Sequence, residues 1–471
     1  MTKDDPRLRQ LRDRLAPIGQ QHLVSFWPRL SAAERDRLTQ QIEAIDVEEF
    51  RELQADFRQR QAAGGDEKSQ WAALAARAGP PPAMRLDGSG VPFTPDQSRS
   101  RGAELLRSGQ VGMILVAGGL GTRLGFDQPK GLFPLGPLSN RTLFQILLEQ
   151  LQAVGRRYRV SIPLYVMTSP ATDEVTRTFL QESRWFGIPV ADARIFRQAT
   201  MWAVDDRFER ILLESTGSLF LGPDGHGGML AALAKSGCLA DMQGRGLTHV
   251  FYGQIDNPLL QICDELFLGS HVLAGSEMTT QVVRKRDPLE RVGNVASVGG
   301  KVQVIEYSDL PDEFARRTNA DGSLKLWAGN LAVHAMDLAF LARAAAQKNA
   351  LPFHLAKKKV PYVGEDGQIV EPDKPNAIRF ERFIFDLLPL AQRALVVEAD
   401  PAEAFAPVKN SDDEPTDNPR LARAAMMAQA RRELRSRGAK IADNVPVELN
   451  PLWDGQLPPG TVVTQPTYFA R

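Results

Sequence analysis

The sequence predicts an α/β protein with a mostly parallel central sheet. From Val111 onward, short apolar runs typical of strands alternate with segments of helical periodicity. A glycine-rich loop directly follows the first of these runs, and folds of this class bind ligands at the carboxyl ends of their strands. A chain of 471 residues is long enough for a large central domain with smaller flanking pieces.

The region before this alternation is patterned as helix. Ser31, with Glu34 three residues later, forms a capping box, and apolar residues follow at helical spacing. Two glycine-containing breaks interrupt the pattern, "QAAGGDEKSQ" over 61–70 and "ARAGPPPAMRLDGSG" over 76–90. We predict a helical N-terminal region over 1–100, with the second, proline-rich break as a linker.

The central region over 101–395 is predicted to form the sheet. Its expected strands are "GMILVA", "PLYVMTS" and "THVFYGQID", and the expected helices between the first strands are "TLFQILLEQLQAV" and "ATDEVTRTFLQES". Beyond it come an acidic loop, "SDDEPTDNP", a charged helical segment over 420–438 and short valine-rich pieces. We predict a small C-terminal domain over 396–471.

Charge and cysteine content exclude several classes of function. The 57 basic and 57 acidic residues give a formal net charge of zero, so no global field attracts nucleic acid or an anionic membrane. Cys238 and Cys263 cannot build a disulfide framework, and the N-terminus lacks the apolar core of a secretion signal. No apolar run is long enough to cross a bilayer. We therefore expect a cytoplasmic protein without nucleic-acid or membrane partners.

The glycine-rich stretch "VAGGLGTRLGFDQPKGLFPLG" over 116–136 is the main candidate site. Its glycines lack the Cβ atoms that would keep a ligand from the backbone, and successive N–H groups can cradle phosphate oxygens. Arg123 and Lys130 add two positive charges. The alternative is a tight surface turn with solvated cations.

Two common phosphate-binding motifs do not fit this stretch. The dinucleotide fingerprint G-x-G-x-x-G fails at Leu124, and the P-loop fails because proline precedes Lys130 and Gly131 follows it. The stretch does match a nucleotidyltransferase pattern, G-G-x-G-T-R-L followed by P-K.

Further motifs follow in order and extend the match over roughly residues 85–420. They are "FRQATMWAVD", "GPDGHGGMLAAL", "GQIDNPLL", "RVGNVASVGGKVQVIEYSDLP", "WAGNLAVH", "LPFHLAKKKVPYV", "KPNAIRFERFIFD" and "FAPVKNSDDEPTDNP". Together they resemble the UDP-sugar pyrophosphorylase family, in particular its eukaryotic-type UDP-N-acetylhexosamine branch. The resemblance implies a Rossmann-like nucleotidyltransferase core in the 101–395 catalytic domain. It also implies reversible uridylyl transfer from UTP to a sugar 1-phosphate, with Mg²⁺ as cofactor.

The resemblance assigns nucleotide-binding roles to specific residues. Arg123 would hold the pyrophosphate leaving group, and Lys130 would neutralise the α-phosphate. Gln198 would bind the uracil edge through its amide, which both donates and accepts. Asp256 would bind the metal and the nucleotide, although on sequence alone it is a turn former at a strand end. The implied nucleotide-binding set is Val116, Ala117, Gly118, Gly119, Gln198, Gly225 and Asp256.

The resemblance likewise implies a sugar site and two further phosphate-binding residues. Lys409 and Arg379 would contact phosphate, although Lys409 on sequence alone is an ordinary surface lysine. Phe383 and Phe385 would form an aromatic wall, or else simply pack in the core at strand spacing. The lysine run over 357–359 is assigned no site role. The implied sugar-binding set is His226, Gly293, Glu306, Asn330, Phe383 and Phe385.

Two positions depart from the family pattern and leave the sugar open. His226 stands where the acetylhexosamine branch usually has asparagine and the glucose branch has Gly-His-Gly, while Gly228 restores the acetylhexosamine form and leaves room for a C2 substituent. Arg379 replaces a common lysine and keeps the charge in a different shape.

We expect N-acetylglucosamine 1-phosphate as the preferred sugar substrate, with glucose or galactose 1-phosphate as the alternative. A non-catalytic UDP-sugar-binding protein is a further alternative, but it would not need to keep Arg123, Lys130, Asp256 and Lys409. The six histidines lie far apart in sequence, and no His or Cys pair has zinc-ligand spacing, so no zinc site is predicted.

Overall fold

The structure is a computed structural model that describes residues 5–62 and 67–470. Residues 1–4, at the start of the segment predicted to lack a secretion signal, and residues 63–66, within the predicted break at 61–70, lie outside the described residues. Within the described part, no helix combines the length and apolar character needed to span a membrane.

The chain divides into two compact units. The first, called here the sheet unit, comprises Trp71–Gln198, Met229–Ala350 and Ile384–Arg471. The second, called the small unit, comprises Met1–Gln70, Ala199–Gly228 and Leu351–Phe383. The domain boundaries predicted from sequence stay predictions.

A ten-stranded mixed sheet organises the sheet unit. Its strands are β1 (Ala83–Met84), β2 (Val111–Val116), β3 (Leu164–Thr168), β4 (Ala193–Arg197), β5 (His249–Gln254), β6 (Met278–Arg284), β7 (Asn294–Val298), β8 (Lys301–Ile305), β9 (Ala328–Asp337) and β10 (Ala394–Glu398). Eight of them lie side by side in the order β1-β10-β6-β9-β5-β2-β3-β4, and the hairpin β7-β8 joins through β9. Most neighbours are parallel, whereas β9 runs antiparallel to both β5 and β6.

The predicted α/β class with a mostly parallel sheet is therefore confirmed. The apolar runs form strands because both faces of the sheet are covered, and every residue of β3 is buried. The predicted helices form between these strands, at Leu143–Tyr158 and Asp173–Glu182. Further helices of this unit are Pro95–Arg107, Met229–Lys235, Cys238–Gly244, Glu265–Leu273, Asp312–Ala315, Leu338–Ala345, Pro401–Ala404 and Pro419–Ser436, and the helix Glu67–Arg77 contributes its residues from Trp71 onward.

Strand direction gives the sheet two chemically distinct edges. Val116 pairs with Gln254 at the ends of parallel β2 and β5, so the segments after both strands leave at one edge, here called the carboxyl edge. The register of antiparallel β9 places its first residues at that edge and its last residue, Asp337, opposite His249. We call this second edge, where β2, β3 and β5 begin, the amino edge.

The segment over 76–90, predicted as a linker, is instead packed into the fold. Ala83 and Met84 form β1, an edge strand parallel to β10, and both are buried. The prolines that precede Ala83 are tolerated here because one side of an edge strand has no partner strand, so a missing N–H costs no hydrogen bond of the sheet. The linker prediction is wrong because proline content marks sheet edges as well as linkers.

The small unit is built from helices and short strands around an aromatic core. The capping box is present, with Glu34 N–H donating to Ser31 Oγ over 3.3 Å at the start of Ala32–Glu43. Phe50, Trp202, Phe208 and Phe380 pack with ring centroids 4.9–6.1 Å apart. The other long helices are Pro6–Leu15 and Val47–Ala62, and the strands are Thr200–Trp202, Val204–Asp205, Leu213–Ser215, Ser218–Leu219, Leu221–Pro223, His354–Lys358, Tyr362–Val363, Ile369–Val370 and Ala377–Glu381.

The C-terminal part of the sheet unit has a small core of its own. The helix Pro419–Ser436 contributes Leu434, which packs with Val447 and Val463 from the short strands that follow it. Those strands form two parallel pairs, Lys440–Ile441 with Val462–Val463 and Val447–Leu449 with Thr467–Phe469.

Candidate active site

The glycine-rich loop after β2 folds into a short hairpin at the carboxyl edge. Its strands are Leu120–Gly121 and Phe126–Pro129, and a 3₁₀ turn over Thr122–Leu124 joins them with Gly125 at φ +69°. Arg123 is therefore exposed near the hairpin tip. Lys130 lies at the base, where its backbone N–H donates to Gly119 O over 2.9 Å.

Lys130 and Asp256 form the polar centre of this edge. Lys130 Nζ lies 3.6 Å from Asp256 Oδ2, and their side chains are 11% and 15% exposed. Burial lowers the pKa of Lys130, and the nearby cations Arg123 and Lys409 lower it further, whereas Asp256 opposes the shift. A largely buried lysine with two cationic neighbours gains most from an added anion such as phosphate.

The loop that carries Lys409 is tied to this centre through its backbone. Val408 N–H donates to Asp256 O over 2.8 Å, and Lys409 N–H donates to Asp417 O over 2.7 Å. Asp417 was not among the predicted site residues. Its backbone is in the left-handed region at φ +56°, and burial together with Asp256 raises the pKa of its carboxyl group.

Asp417 thus adds a second carboxylate near Asp256. Its only sequence signal was membership of the acidic run "SDDEPTDNP", in which most acidic residues are exposed. Two partly shielded carboxylates supply the hard oxygen ligands that Mg²⁺ prefers, and Mg²⁺ usually binds through one or two carboxylates plus phosphate oxygens. The residues present therefore fit the magnesium ion that the family implies.

Gly118 and Gln198 meet at the same edge of the sheet. A Cβ atom at position 118 would lie 2.8 Å from Gln198 Oε1 and 3.3 Å from Ser169, so a larger residue here would displace the Gln198 amide. Gln198 is buried at the end of β4, and its N–H donates to Thr168 O. The structure thus brings the predicted uracil-binding amide against the predicted uridine-binding backbone.

The predicted sugar residues Gly293, Glu306 and Asn330 also come together in the sheet unit. Asn330 N–H donates to Gly293 O over 2.8 Å, and a Cβ at Gly293 would lie 2.9 Å from Glu306 Oε1. Asn330 Oδ1 accepts from Ala332 N–H at 3.0 Å and from Thr280 at 3.4 Å. Because the amide oxygen is engaged, its NH₂ group is the half left to donate to a ligand.

The small unit carries four further predicted residues, Gly225, His226, Arg379 and Phe383. The ring of Phe383 lies between two histidines, with centroids 5.3 Å from His226 and 4.6 Å from His354. Desolvation, reinforced by His354, lowers the pKa of His226 to about 4, so its imidazole is neutral at physiological pH. Arg379 packs against Gly222, where a Cβ would lie 2.4 Å from Nη2.

Gly225 and Gly228 have packing reasons to be glycine. Gly225 has φ +82°, and a Cβ there would lie 2.4 Å from Arg382 O. A Cβ at Gly228 would lie 2.1 Å from the carboxylate of Asp224, which is itself buried. The room that Gly228 was expected to leave for a sugar substituent is therefore filled by Asp224.

The two phenylalanines do not share a strand. The strand ends at Glu381, and Phe385 lies in a 3₁₀ helix over Ile384–Leu390, where its side chain is buried. Phe383 is only partly buried. The strand-spacing interpretation of this pair is wrong because the chain changes conformation after Glu381.

Histidines far apart in sequence nevertheless meet in the structure. His249 at the start of β5 and His271 in the helix Glu265–Leu273 both lie against Asp337, at the amino edge. The absence of zinc-ligand spacing in the sequence therefore did not exclude such a cluster.

Comparison with known proteins places the chain in a family. A family model described as UTP–glucose-1-phosphate uridylyltransferase, UDPGP, matches residues 76–444. The chain belongs to this UDPGP family. It is a nucleotidyltransferase, a uridylyltransferase that makes UDP-sugars, and the family implies UTP and a sugar phosphate as substrates. The predicted family resemblance is confirmed.

Individual UDPGP relatives cover most of the chain. The human UDP-N-acetylhexosamine pyrophosphorylase-like protein 1 is 35% identical over 92% of this chain and 86% of its own length. UDP-N-acetylglucosamine pyrophosphorylase from Saccharomyces cerevisiae is 38% identical over 74% of this chain and 75% of its own. The crystal structure of the Trypanosoma brucei uridine diphosphate N-acetylglucosamine pyrophosphorylase matches with TM-score 0.80 over 99% of both chains at 24% identity, which supports the fold.

Proposed function

We propose that this UDPGP enzyme transfers uridylyl groups preferentially to N-acetylglucosamine 1-phosphate. The observation that carries the proposal is the group of Gly293, Glu306 and Asn330, which offers one carboxylate acceptor beside one amide donor. An acetamide presents one N–H, which can donate to the Glu306 carboxylate, and one C=O, which can accept from the Asn330 amide. Glucose 1-phosphate has a hydroxyl at the same carbon. Its single oxygen atom would have to donate to the carboxylate and accept from the amide at once, whereas an acetamide uses two separate atoms.

The relatives support the same choice of sugar. The yeast protein, at 38% identity, has N-acetylglucosamine in its name. The family description names glucose 1-phosphate instead, so glucose 1-phosphate is the competing substrate that an experiment must test.

We assign the chemistry to the carboxyl edge of the sheet. An oxygen of the sugar 1-phosphate attacks the α-phosphorus of UTP, and the bond from that phosphorus to the bridging oxygen breaks to release pyrophosphate. Lys130 stabilises negative charge on the α-phosphate, Arg123 binds the departing pyrophosphate, and Lys409 binds the sugar phosphate. Such transfers depend on positioning and on cations rather than on covalent catalysis.

The same proposal places Mg²⁺ at Asp256, with Asp417 close by. Bound Mg²⁺ supplies positive charge that neutralises phosphate oxygens. Gln198 selects the uracil base beside Gly118, and the other proposed nucleotide contacts in the sheet unit are the backbone of Val116, Ala117 and Gly119. Gly225, in the small unit, remains a predicted nucleotide-binding residue. Arg379 remains a predicted phosphate-binding residue, and His226, Phe383 and Phe385 remain predicted sugar-binding residues.

The test is a pyrophosphate-release assay with UTP and Mg²⁺ across a panel of sugar 1-phosphates. We expect kcat/KM for N-acetylglucosamine 1-phosphate to exceed that for glucose 1-phosphate at least about tenfold, the scale of one well-placed polar contact. Asn330→Asp replaces the amide donor with an acceptor of the same shape. It should lower the value for the acetylated sugar more than the value for glucose 1-phosphate.

His226→Asn is the matched test of the other open position. If the native enzyme favours glucose 1-phosphate and His226→Asn shifts it towards the acetylated sugar, the choice lies at position 226 and the proposal is wrong. Pyrophosphate release with neither sugar nor any other member of the panel would contradict the assigned activity itself.

A further inference from the structure

A cluster of two histidines and one aspartate lies at the amino edge of the sheet. His271 Nε2 is 3.0 Å and His249 Nε2 is 3.4 Å from the same atom, Asp337 Oδ1. The ligand atoms of all three side chains lie within 4.8 Å of one another. A tetrahedral zinc ion with ligands at about 2.0–2.1 Å would separate them by roughly 3.3 Å, close to both measured distances.

The backbone that holds these three residues belongs to the centre of the sheet unit. His249 opens β5 and pairs with Asp337, the last residue of antiparallel β9. His271 comes from the helix Glu265–Leu273, which packs beside these strands and buries its imidazole completely. The cluster therefore does not depend on a mobile loop for its geometry.

A threonine hydroxyl holds each imidazole ring through Nδ1, the ring nitrogen that faces away from Asp337. His271 Nδ1 lies 2.9 Å from Thr279 Oγ1, and His249 Nδ1 lies 2.7 Å from Thr248 Oγ1. Zinc-binding histidines commonly use their second ring nitrogen in such a hydrogen bond, which fixes the ring orientation and the tautomer. Here the bond leaves both Nε2 atoms directed at one carboxylate oxygen.

The cluster also has access to solvent and a mixed charge environment. The His249 and Asp337 side chains are 18% and 34% exposed, and a small pocket reaches them. Glu277 lines this pocket but is paired with Arg343 at 2.8 Å, while Arg393 adds a positive charge to the wall. The cluster is therefore open to an ion from solvent.

We propose that His249, His271 and Asp337 bind a zinc-type divalent cation, separately from the nucleotide site. Two imidazole nitrogens and one carboxylate oxygen form a donor set suited to Zn²⁺ rather than Mg²⁺. This site lies at the amino edge, and Asp256 follows the other end of β5, roughly 20 Å away at about 3.3 Å per residue. The cation stabilises the sheet unit and does not contact substrate.

The test uses the full-length protein, stripped with a chelator and titrated calorimetrically with Zn²⁺ in excess Mg²⁺. We expect one equivalent of Zn²⁺ to bind and the melting temperature to rise by about 2 °C or more. Asp337→Asn, which keeps the side-chain shape, should weaken Zn²⁺ binding at least tenfold. Thr279→Val should weaken it about tenfold through loss of the outer hydrogen bond.

Asp443→Asn is the matched control, because that side chain is 97% exposed, and it should leave Zn²⁺ binding unchanged. His271 is fully buried, so its replacement is avoided in favour of His249→Gln and the two variants above. Circular dichroism verifies that each variant is folded. Binding of no zinc by the native protein, or one equivalent retained by both Asp337→Asn and His249→Gln, would overturn the proposal.

Discussion

The carboxyl and amino edges of one sheet carry polar groups that favour ligands of opposite charge. At the carboxyl edge, Lys130, Arg123 and Lys409 gather beside Asp256, so positive charge accumulates where the backbone is bare. At the amino edge, the imidazoles of His249 and His271 converge on the carboxylate of Asp337. The first arrangement is suited to an anion and the second to a cation, although β5 reaches both.

This comparison shows how one strand can serve two chemistries. The parallel strands end in loops at the carboxyl edge, where glycine-containing turns bring N–H groups towards a ligand. At the amino edge the groups project from regular elements and are held by side-chain hydrogen bonds. The proposed sites therefore differ in the elements that hold them as well as in charge.

The strongest test of the carboxyl edge is Lys130→Ala. We expect kcat to fall about a hundredfold or more, the scale for losing one preorganised charge-stabilising group, with a smaller change in UTP affinity. Lys440→Ala, at an exposed lysine of the same unit, should leave kcat unchanged. Steady-state kinetics measure both. A Lys130→Ala enzyme with near-native kcat would show that catalytic charge lies elsewhere.

Asp256→Asn separates the two proposed metal sites. Removing one carboxylate charge should lower activity about 10–100-fold and raise the Mg²⁺ concentration needed for half-maximal rate. The Zn²⁺ stoichiometry measured in excess Mg²⁺ should not change, because the amino edge is untouched. An unchanged Mg²⁺ dependence would remove Asp256 from the metal site, and loss of zinc binding would mean that the two edges are not independent.

Gln198→Leu tests base selection at the carboxyl edge. The native enzyme should use CTP poorly, because uracil and cytosine present reversed donor and acceptor patterns to a fixed amide. In the variant, kcat/KM for UTP should fall at least about tenfold, and the ratio of kcat/KM for UTP to kcat/KM for CTP should decrease. Equal native values of kcat/KM for UTP and CTP would contradict the assignment.

Asp417→Asn should give the smallest effect of these substitutions. We expect it to change the stability of the fold and not only the reaction rate. Burial raises the pKa of the Asp417 carboxyl group, so the folded state holds this proton more tightly than the unfolded state. Its contribution to stability is present below pH 3.8 and is lost as pH rises through the raised pKa, so at pH 7 the ionised group destabilises the fold.

The neutral variant should therefore melt about 1–3 °C higher than the native protein at pH 7. The gain should vanish near pH 3.5, where both carry a neutral side chain, as thermal scans at the two pH values would measure. Asp443→Asn, at an exposed carboxylate, is the control and should show no gain. A lower melting temperature for Asp417→Asn at pH 7 would mean that this carboxylate is stabilised by its neighbours.

The sequence was sufficient where a feature is contiguous along the chain. The apolar runs of β2, β3 and β5 and the glycine-rich loop are local patterns, and a strand followed by bare backbone and a lysine constrains its own geometry. The capping box at Ser31 was predictable for the same reason.

Features that depend on distant segments could not be predicted in this way. His249, His271 and Asp337 come from three elements, each with an unremarkable local sequence, and only the register of β5 with β9 aligns the first and last. Asp417 resembled its exposed neighbours until its backbone contact with Lys409 was known. Gly228 was expected to leave room for a ligand, because the sequence alone does not show that the carboxylate of Asp224 fills this space.

The aromatic core of the small unit can be completed only late in synthesis. Phe50 is translated early, but Phe380, which packs in the same core, follows roughly 330 residues later, or tens of seconds at about 5–20 residues per second. During that interval the helices Ala32–Glu43 and Val47–Ala62 have no Phe380 to complete their packing. The nascent chain consequently exposes apolar side chains of this core for most of its synthesis. We expect a chain that is truncated before residue 380 to aggregate.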